Sequence, residues 1–380
     1  MHPLSIIKFY MNNKKRLAGI LIAIALSTFL LYVMQMLLDS LFLTSYNAFV
    51  EPQKYYSSIT SKGRTLNEAL VEEMANLDSV ERVMPWVFRF TNFYSNIGGN
   101  TGTKVFTVKH DDMLILMDKL QLTVKEGRLP EAGSREIAVH YQIAQNKNLK
   151  VGDKIGSNID RDEYIQGERI IVGLLGGRSL VSFESLETWL QDNQVTFEPK
   201  MGIILLPRSG MEQQLNRYLD SLNLTGLEIR TLESVSRQNA RDTENIKTIL
   251  TFLSLLVVVI VSFCTGFLCY MYYSQRRTEF GFLNAIGYSR QYILNRVIRE
   301  IGVLNACGFG GGILLALTAG YAIDWLAYAP KGQIIRLWST GSLAAAAAIP
   351  LFATLFSIIP IWLILNQLDT VAVLEGSAGA

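Results

Sequence analysis

RRTEFGFLNAIGYSRQYILNRVIRE, residues 276–300, holds five arginines and two glutamates, yet its centre, EFGFLNAIG, is apolar. Long uncharged runs flank it: Ile249–Tyr273 before, Ile301–Ile323 after. Two more lie at Leu17–Leu38 and Leu343–Leu365. Each exceeds the roughly 20 residues that cross about 30 Å of hydrocarbon. A buried helix of a water-soluble protein would carry charges at intervals, and these do not. The sequence therefore predicts an α-helical membrane protein with four transmembrane helices. An α+β extracytoplasmic domain is inserted between helices 1 and 2.

Composition agrees. Hydrophobic residues make up 49% and charged residues 18%, with a mean hydropathy of +0.23. A net charge of +2 is too small to imply nucleic acid. The first run follows KFYMNNKKR and is too long for a signal-peptide core, so it reads as an uncleaved anchor. LSIIKFY ahead of it reads as a short amphipathic helix at the inner surface. Basic residues set the sidedness. Lys8, Lys14, Lys15 and Arg16 precede the first run, and Arg276, Arg277, Arg290, Arg296 and Arg299 fill the opening loop. Only Lys331 and Arg336 lie between the third and fourth runs. The positive-inside rule puts both termini and the basic loop in the cytoplasm, which in a bacterial cell membrane leaves the insertion on the extracytoplasmic face.

The expected divisions are 1–16 cytoplasmic, 17–43 first span and start of a stalk, and 44–246 the extracytoplasmic domain with a β-rich lobe and stalk. There follow 247–273 second span, 274–299 cytoplasmic loop, 300–326 third span, 327–341 short outer loop, 342–365 fourth span and 366–380 cytoplasmic tail. In the outer domain, TLNEALVEEMANL places Leu66, Ala69, Leu70, Met74 and Leu77 at helical spacing, and VERVMPWVFRF reads as one strand after it. MGIILL, MEQQLNRYLDSL and LEIRTL repeat strand, helix, strand, so both ends of the insertion should build one α+β module. KVFTVKH, REIAVH and RIIVGLL read as strands of a second lobe, with KVGDKIG a turn. ESVSRQNARDTENIK reads as a helical stalk running into the second span.

No catalytic set stands out. His2, His110 and His140 lack ligand spacing, and HDD at 110–112 reads as a solvated turn. Glu72/Glu73 and Asp111/Asp112 read as solvated faces. Cys264, Cys269 and Cys307 sit in apolar runs and offer neither a disulfide framework nor a zinc pattern. There is no G-x-x-x-x-G-K-[ST]. Gly308 and Gly312 form a GxxxG that allows close helix packing, within one chain or between two. Pro350 and Pro360 should kink the fourth span, with freed carbonyls satisfied by neighbours.

The opening stretch admits two physical readings. It could rest on the bilayer as an interfacial helix. Alternatively Phe280, Leu283 and Ile286, three residues apart, could fill a groove on a soluble partner. It resembles the cytoplasmic loop of MacB/FtsX-type (type VII) ABC transporter permeases, approximately R-R-x-E-I-G-I-L-R-A-L-G-A-S-R with a glutamate at the next span's start. Arg276, Arg277, Glu279, Gly281, Leu283, Ala285, Gly287, Ser289, Arg290 and Glu300 match. Phe280, Phe282 and Ile286 are conservative replacements, and Asn284 departs where arginine is usual. NNKKRLAGILIAIALS, KEGRLPEAGSREIAVHYQIAQNKNLKVGDKIG and LDTVAVLEG resemble the family's first span, MacB-type periplasmic domain and tail. The outer stretch favours the MacB branch, without a fused ATPase domain; the DevC-type and LolC/LolE-type branches stay open.

The resemblance implies a non-catalytic permease dimer, homo- or heteromeric, that binds no cofactor itself. ATP and Mg would sit on a separate ABC ATPase subunit, docked on a coupling helix of Glu279, Phe280, Gly281, Phe282, Leu283, Asn284, Ala285, Ile286 and Gly287. Spans one and two would relay ATP-driven closure outward by mechanotransmission. The cargo class would be a peptide, lipopeptide, antibiotic or lipoprotein, with membrane lipid and an HlyD-like adaptor or another extracytoplasmic protein as further partners. The alternative is an FtsX-like transducer that activates an extracytoplasmic cell-wall hydrolase and moves no cargo.

Overall fold

The computed structural model describes residues 14–61, 66–96, 99–194, 201–222 and 226–366. LSIIKFY, LDTVAVLEG and most of the segments 1–16 and 366–380 lie outside them. The chain forms two units, an outer one of residues 40–246 with 323–335 and a membrane one holding the rest.

Helix α1 spans Lys14–Ser45, and a tight π turn and a 3-10 turn lead from it to β1 (Ser57–Ser61). Then come α2 (Glu68–Ala75), β2 (Val80–Pro85), β3 (Val87–Ser95), β4 (Gly99–Val108) and α3 (His110–Lys119). Next are β5 (Thr123–Gly127), β6 (Glu136–His140), α4 (Tyr141–Asn146), β7 (Lys154–Ile155), β8 (Arg169–Gly176), β9 (Val181–Ser185) and α5 (Leu186–Asp192). The insertion closes with β10 (Gly202–Pro207), α6 (Glu212–Ser221) and β11 (Leu227–Arg230).

Both ends of the insertion build one antiparallel sheet, in the order β11-β1-β10-β2. Its side chains Ile59, Ile203 and Leu205 pack against Met74 of α2 and Leu215 and Leu219 of α6. The Asn67 side chain caps α2 by accepting the Ala69 amide at 3.1 Å, so this helix begins at Glu68 and Ala69 faces outward. The second sheet runs β3-β4-β9-β6-β8-β5, with β7 on β8. Phe106 and Phe183 from this sheet meet Met84, Ile204 and Leu206 from the first, and Tyr56 just before β1, in one core. VERVMPWVFRF is therefore two strands in two sheets, broken at Trp86. The indole is 1% exposed and stands between Phe88 and Phe106, with ring centroids 5.3 and 5.6 Å away. The large buried ring anchors the chain where it passes from one sheet to the other.

HDD is not a solvated turn. It opens α3, and Asp112 is buried with Arg82 Nη2 at 2.7 Å, where the positive helix start favours a carboxylate. Glu72, Glu73 and Asp111 are exposed.

The connection at 323–335 belongs to the outer unit, which sequence spacing did not foresee. Asn96 Nδ2 donates to Ala327 O at 2.8 Å, Gln145 Nε2 to Ala329 O at 2.7 Å, and Asn146 Nδ2 to Lys331 O at 3.0 Å. Gly332 has φ +62°, and a Cβ there would meet Gln142 O at 2.4 Å.

The membrane unit holds α7 (Leu232–Ser274) from Lys247 on, α8 (Arg277–Ala285), α9 (Arg290–Ile323) up to Ala322, and α10 (Thr340–Asn366), with α1 up to Asp39. Four of its helices are long and apolar enough to cross a membrane, and α7 is one unbroken helix of 43 residues. Gln35 Nε2 donates to Ser254 Oγ at 3.0 Å, and Asn305 Nδ2 to Thr354 Oγ1 at 2.6 Å. Pro350 and Pro360 lie inside α10, where the Pro350 carbonyl accepts from Thr354 Oγ1 at 2.7 Å.

Gly308 and Gly312 pack on α1 of the same chain. A Cβ on Gly308 would lie 2.8 Å from Ile24, and one on Gly312 2.5 Å from Ala25 O and 2.6 Å from Thr28 Cβ. Gly312→Leu should cost about 1–3 kcal/mol by overpacking. Gly310→Leu, two residues away and facing open space, should cost little. Thermal unfolding of the detergent-solubilised variants tests this, and equal midpoints would contradict the packing.

Candidate functional site

The opening stretch forms α8, a nine-residue helix between the inner ends of α7 and α9. Glycine ends it. Gly287 has φ +107°, its amide donates to Asn284 O at 3.0 Å, and the Tyr288 amide donates to Leu283 O at 3.1 Å. This pair of bonds is the Schellman termination, whose left-handed residue suits glycine.

An ion network anchors the helix start. Arg276 forks onto Glu279 with contacts of 2.7 and 2.8 Å. It also reaches Glu300 Oε2 at 3.0 Å, while Arg296 Nε bonds the other oxygen at 3.2 Å. The Glu300 side chain is fully buried. Burial opposes charge on Arg276, but Glu279 and Glu300 hold its pKa above the ordinary value. The hydrogen bonds from Arg276 in turn hold Glu279 below the ordinary carboxylate range. The guanidinium lies 5.2 Å from the Phe280 ring and 5.6 Å from that of Tyr273.

The expected single stripe of Phe280, Leu283 and Ile286 divides. Phe280 is 2% exposed, in a cluster with Leu17, Tyr273, Ile293 and Val297. Leu283 packs against the same cluster and Gly281 is buried. Phe282 and Ile286 are 45% and 77% exposed, and Glu279, Ala285 and Gly287 are exposed with them. Asn284 is half-buried. Both faces of α8 are apolar, so spacing alone could not choose which one the chain's own spans would cover. The last turn also ends at Ala285, which takes Ile286 off the stripe. Sequence reasoning saw Glu300 as a matching position only. Its arginine partners show no local pattern beyond the four-residue spacing of Arg296 and Glu300.

Among the described residues, no cluster of three or more His, Cys, Asp or Glu could hold a metal. The three cysteines are free thiols, with Cys269 buried. The arrangement is that of a small helix pinned on one side and open on the other.

Residues 251–368, from α7 through this loop to beyond α10, match the family "FtsX-like permease C-terminal". This stretch is an FtsX-like permease C-terminal domain. Among the described residues, four helices are long and apolar enough to cross a membrane, and three of them fall wholly or partly within this match. No curated protein matches the sequence of the chain. Solved structures similar to it include the periplasmic region of MacB from Actinobacillus actinomycetemcomitans, at 11% identity and TM-score 0.31, covering 52% of the permease and 96% of that chain. The extracellular domain of the noncanonic ABC-type transporter YknZ from Gram-positive bacteria aligns at 11% identity and TM-score 0.29, covering 46% and 100%. A domain of a putative permease protein from Porphyromonas gingivalis aligns at 11% and 0.26, covering 48% and 89%.

Proposed function

We propose that the permease couples ATP hydrolysis on a separate nucleotide-binding subunit to movement of its extracytoplasmic unit by mechanotransmission, for export of a peptide, lipopeptide, antibiotic or lipoprotein. The observation that carries this is α8. Its inner face is pinned to the spans by Phe280 and the Arg276–Glu300 pair, while Phe282 and Ile286 stay open to a partner's groove. A helix so held would pass a push on its outer face directly to α1, α7 and α9. The unbroken length of α7 supports a lever. ATP and Mg belong to the partner, the permease works as a dimer, and both termini are cytoplasmic by the charge asymmetry. The apolar runs lack charges along their lengths, which also favours the second reading, an FtsX-like transducer that activates a cell-wall hydrolase.

The test is recovery of the ATPase subunit with the purified permease. Phe282→Ala with Ile286→Ala should release it, since one buried interface anchor contributes about 2 kcal/mol or more, roughly 30-fold in affinity. The doubly substituted chain should keep wild-type thermal stability. Phe280→Ala should instead lower that stability by about 3–5 kcal/mol, as a cavity in a core does. Undiminished ATPase recovery with the Phe282/Ile286 variant would refute the docking face.

A further inference from the structure

The second sheet of the outer unit carries a polar cavity of about 520 Å³ that the mechanism above leaves unused. Arg89 on β3, Arg135 just before β6 and Arg169 at the start of β8 all line it. Glu184, fully buried on β9, accepts from Arg89 Nη1 at 2.9 Å and from Arg169 Nε. Asp192, at the end of α5, accepts from Arg135 Nη2 at 2.8 Å and Arg169 Nη2 at 2.6 Å. Three guanidinium groups thus meet two carboxylates. Glu168 on the rim is already paired with Lys154, so one positive charge is left over.

The hydrogen bonds are unevenly used. Arg169 engages all three nitrogens, the third on Glu168 O at 3.0 Å. Arg89 and Arg135 each engage one side-chain nitrogen among the described residues, leaving N–H donors unspent in the same cavity. A buried arginine–carboxylate cluster is a poor source of stability, because desolvation offsets its attraction. A cluster kept open with a surplus cation suits recognition better. The guanidinium fork matches a carboxylate with two parallel bonds. Asn158, Gln166 and Asn193 around it are carboxamides, each able to donate to and accept from a peptide group. Ile170 is the one apolar side chain in the lining, so an acyl chain finds no surface there.

We propose that this cavity is a binding site for the carboxylates of an acidic peptide on the extracytoplasmic face. It stands on the residues of the outer unit alone, so failure of the ATPase docking face would leave it untouched.

The test uses the full chain in detergent or lipid nanodiscs and ligand-observed NMR titration. The probes are tetraglutamate, the uncharged tetraglutamine amide and inorganic phosphate. Tetraglutamate should bind, the amide should not, and added salt should weaken binding by screening. The Arg135 side chain is 70% exposed, so Arg135→Gln keeps the fold while removing one guanidinium. Its affinity for tetraglutamate should fall about tenfold, as losing a charge-assisted bond implies. Arg89→Lys, which keeps the charge over Glu184 but loses the fork, should also weaken it. The site is overturned if tetraglutamate fails to bind, or if Arg135→Gln binds it as well as wild type does. Equal binding of the amide, or displacement by phosphate at equal or lower concentration, overturns the assignment to acidic peptides as well.

Discussion

Glu300→Ala should destabilise the membrane unit by about 3–5 kcal/mol, the usual cost of leaving a buried charge without its partner. The Glu300 carboxylate is fully buried and accepts from Arg276 at 3.0 Å, Arg296 at 3.2 Å and the Tyr273 hydroxyl at 3.4 Å. Removing it takes a buried partner from two guanidinium groups whose side chains are only 10% and 13% exposed. Arg276 retains its fork onto Glu279, but that carboxylate is 46% exposed and belongs to α8 itself, so the tie from α8 to α9 is lost and the helix start should loosen. ATPase-stimulated turnover should fall together with thermal stability, even though the outward Phe282 and Ile286 are unchanged. Glu300→Gln keeps the shape and one acceptor, and should recover part of the stability but little of the arginine pairing. Unfolding midpoints of the solubilised chain decide it. A Glu300→Ala chain as stable as wild type would mean that the network does not hold α8 in place.

In the outer unit the largest expected effect is one of pH. Lys104, on β4, is buried with no carboxylate partner among the described residues. Its amine sits 3.2 Å from Phe49 O, 3.1 Å from Gln53 Oε1 and 3.0 Å from the Tyr56 hydroxyl. Burial, and then the charge of Arg230, lower its pKa from 10.5 to about 7. Between those two values the unfolded chain holds the proton and the folded one does not. Stability should therefore climb as pH rises from about 7 toward 10.5, and from this group be flat below about 7. At about 1.4 kcal/mol per pH unit the full swing is on the order of 5 kcal/mol. The three oxygens complement an ammonium and should make the measured swing smaller.

His140 adds a second step in the same direction. It is buried, with Nε2 3.2 Å from Gly177 O, and burial lowers its pKa from 6.5 to about 4. Its contribution should be lost as pH falls from 6.5 through 4, roughly 3 kcal/mol in all. Unfolding midpoints from pH 4 to 10 should lose the upper slope in Lys104→Met and the lower slope in His140→Gln. If Lys104→Met rises with pH above 7 as steeply as wild type, the upper step belongs to another group.

The four spans, the insertion between the first two and its strand–helix–strand ends were legible from composition and spacing alone. Each is a local property: lipid tests every segment for apolar length separately, and a sheet face needs only alternation along its own strand. The position of the short helix before Glu300 was legible for the same reason. What α8 turns inward was not. Phe280 and Phe282 are equally apolar, and the choice between them depends on Leu17 and Val297, brought alongside only by the folded spans. The sheet change at Trp86 depended on side chains from β4, and the burial of Asp112 on Arg82 across the fold. Likewise, the seating of 323–335 on Asn96, Gln145 and Asn146 joins residues more than a hundred positions apart. Helices of membrane length and the charges between them can be read along the chain one segment at a time. Which faces those helices hide and which arginines share a carboxylate cannot, because burial and ion pairing are set by neighbours in space.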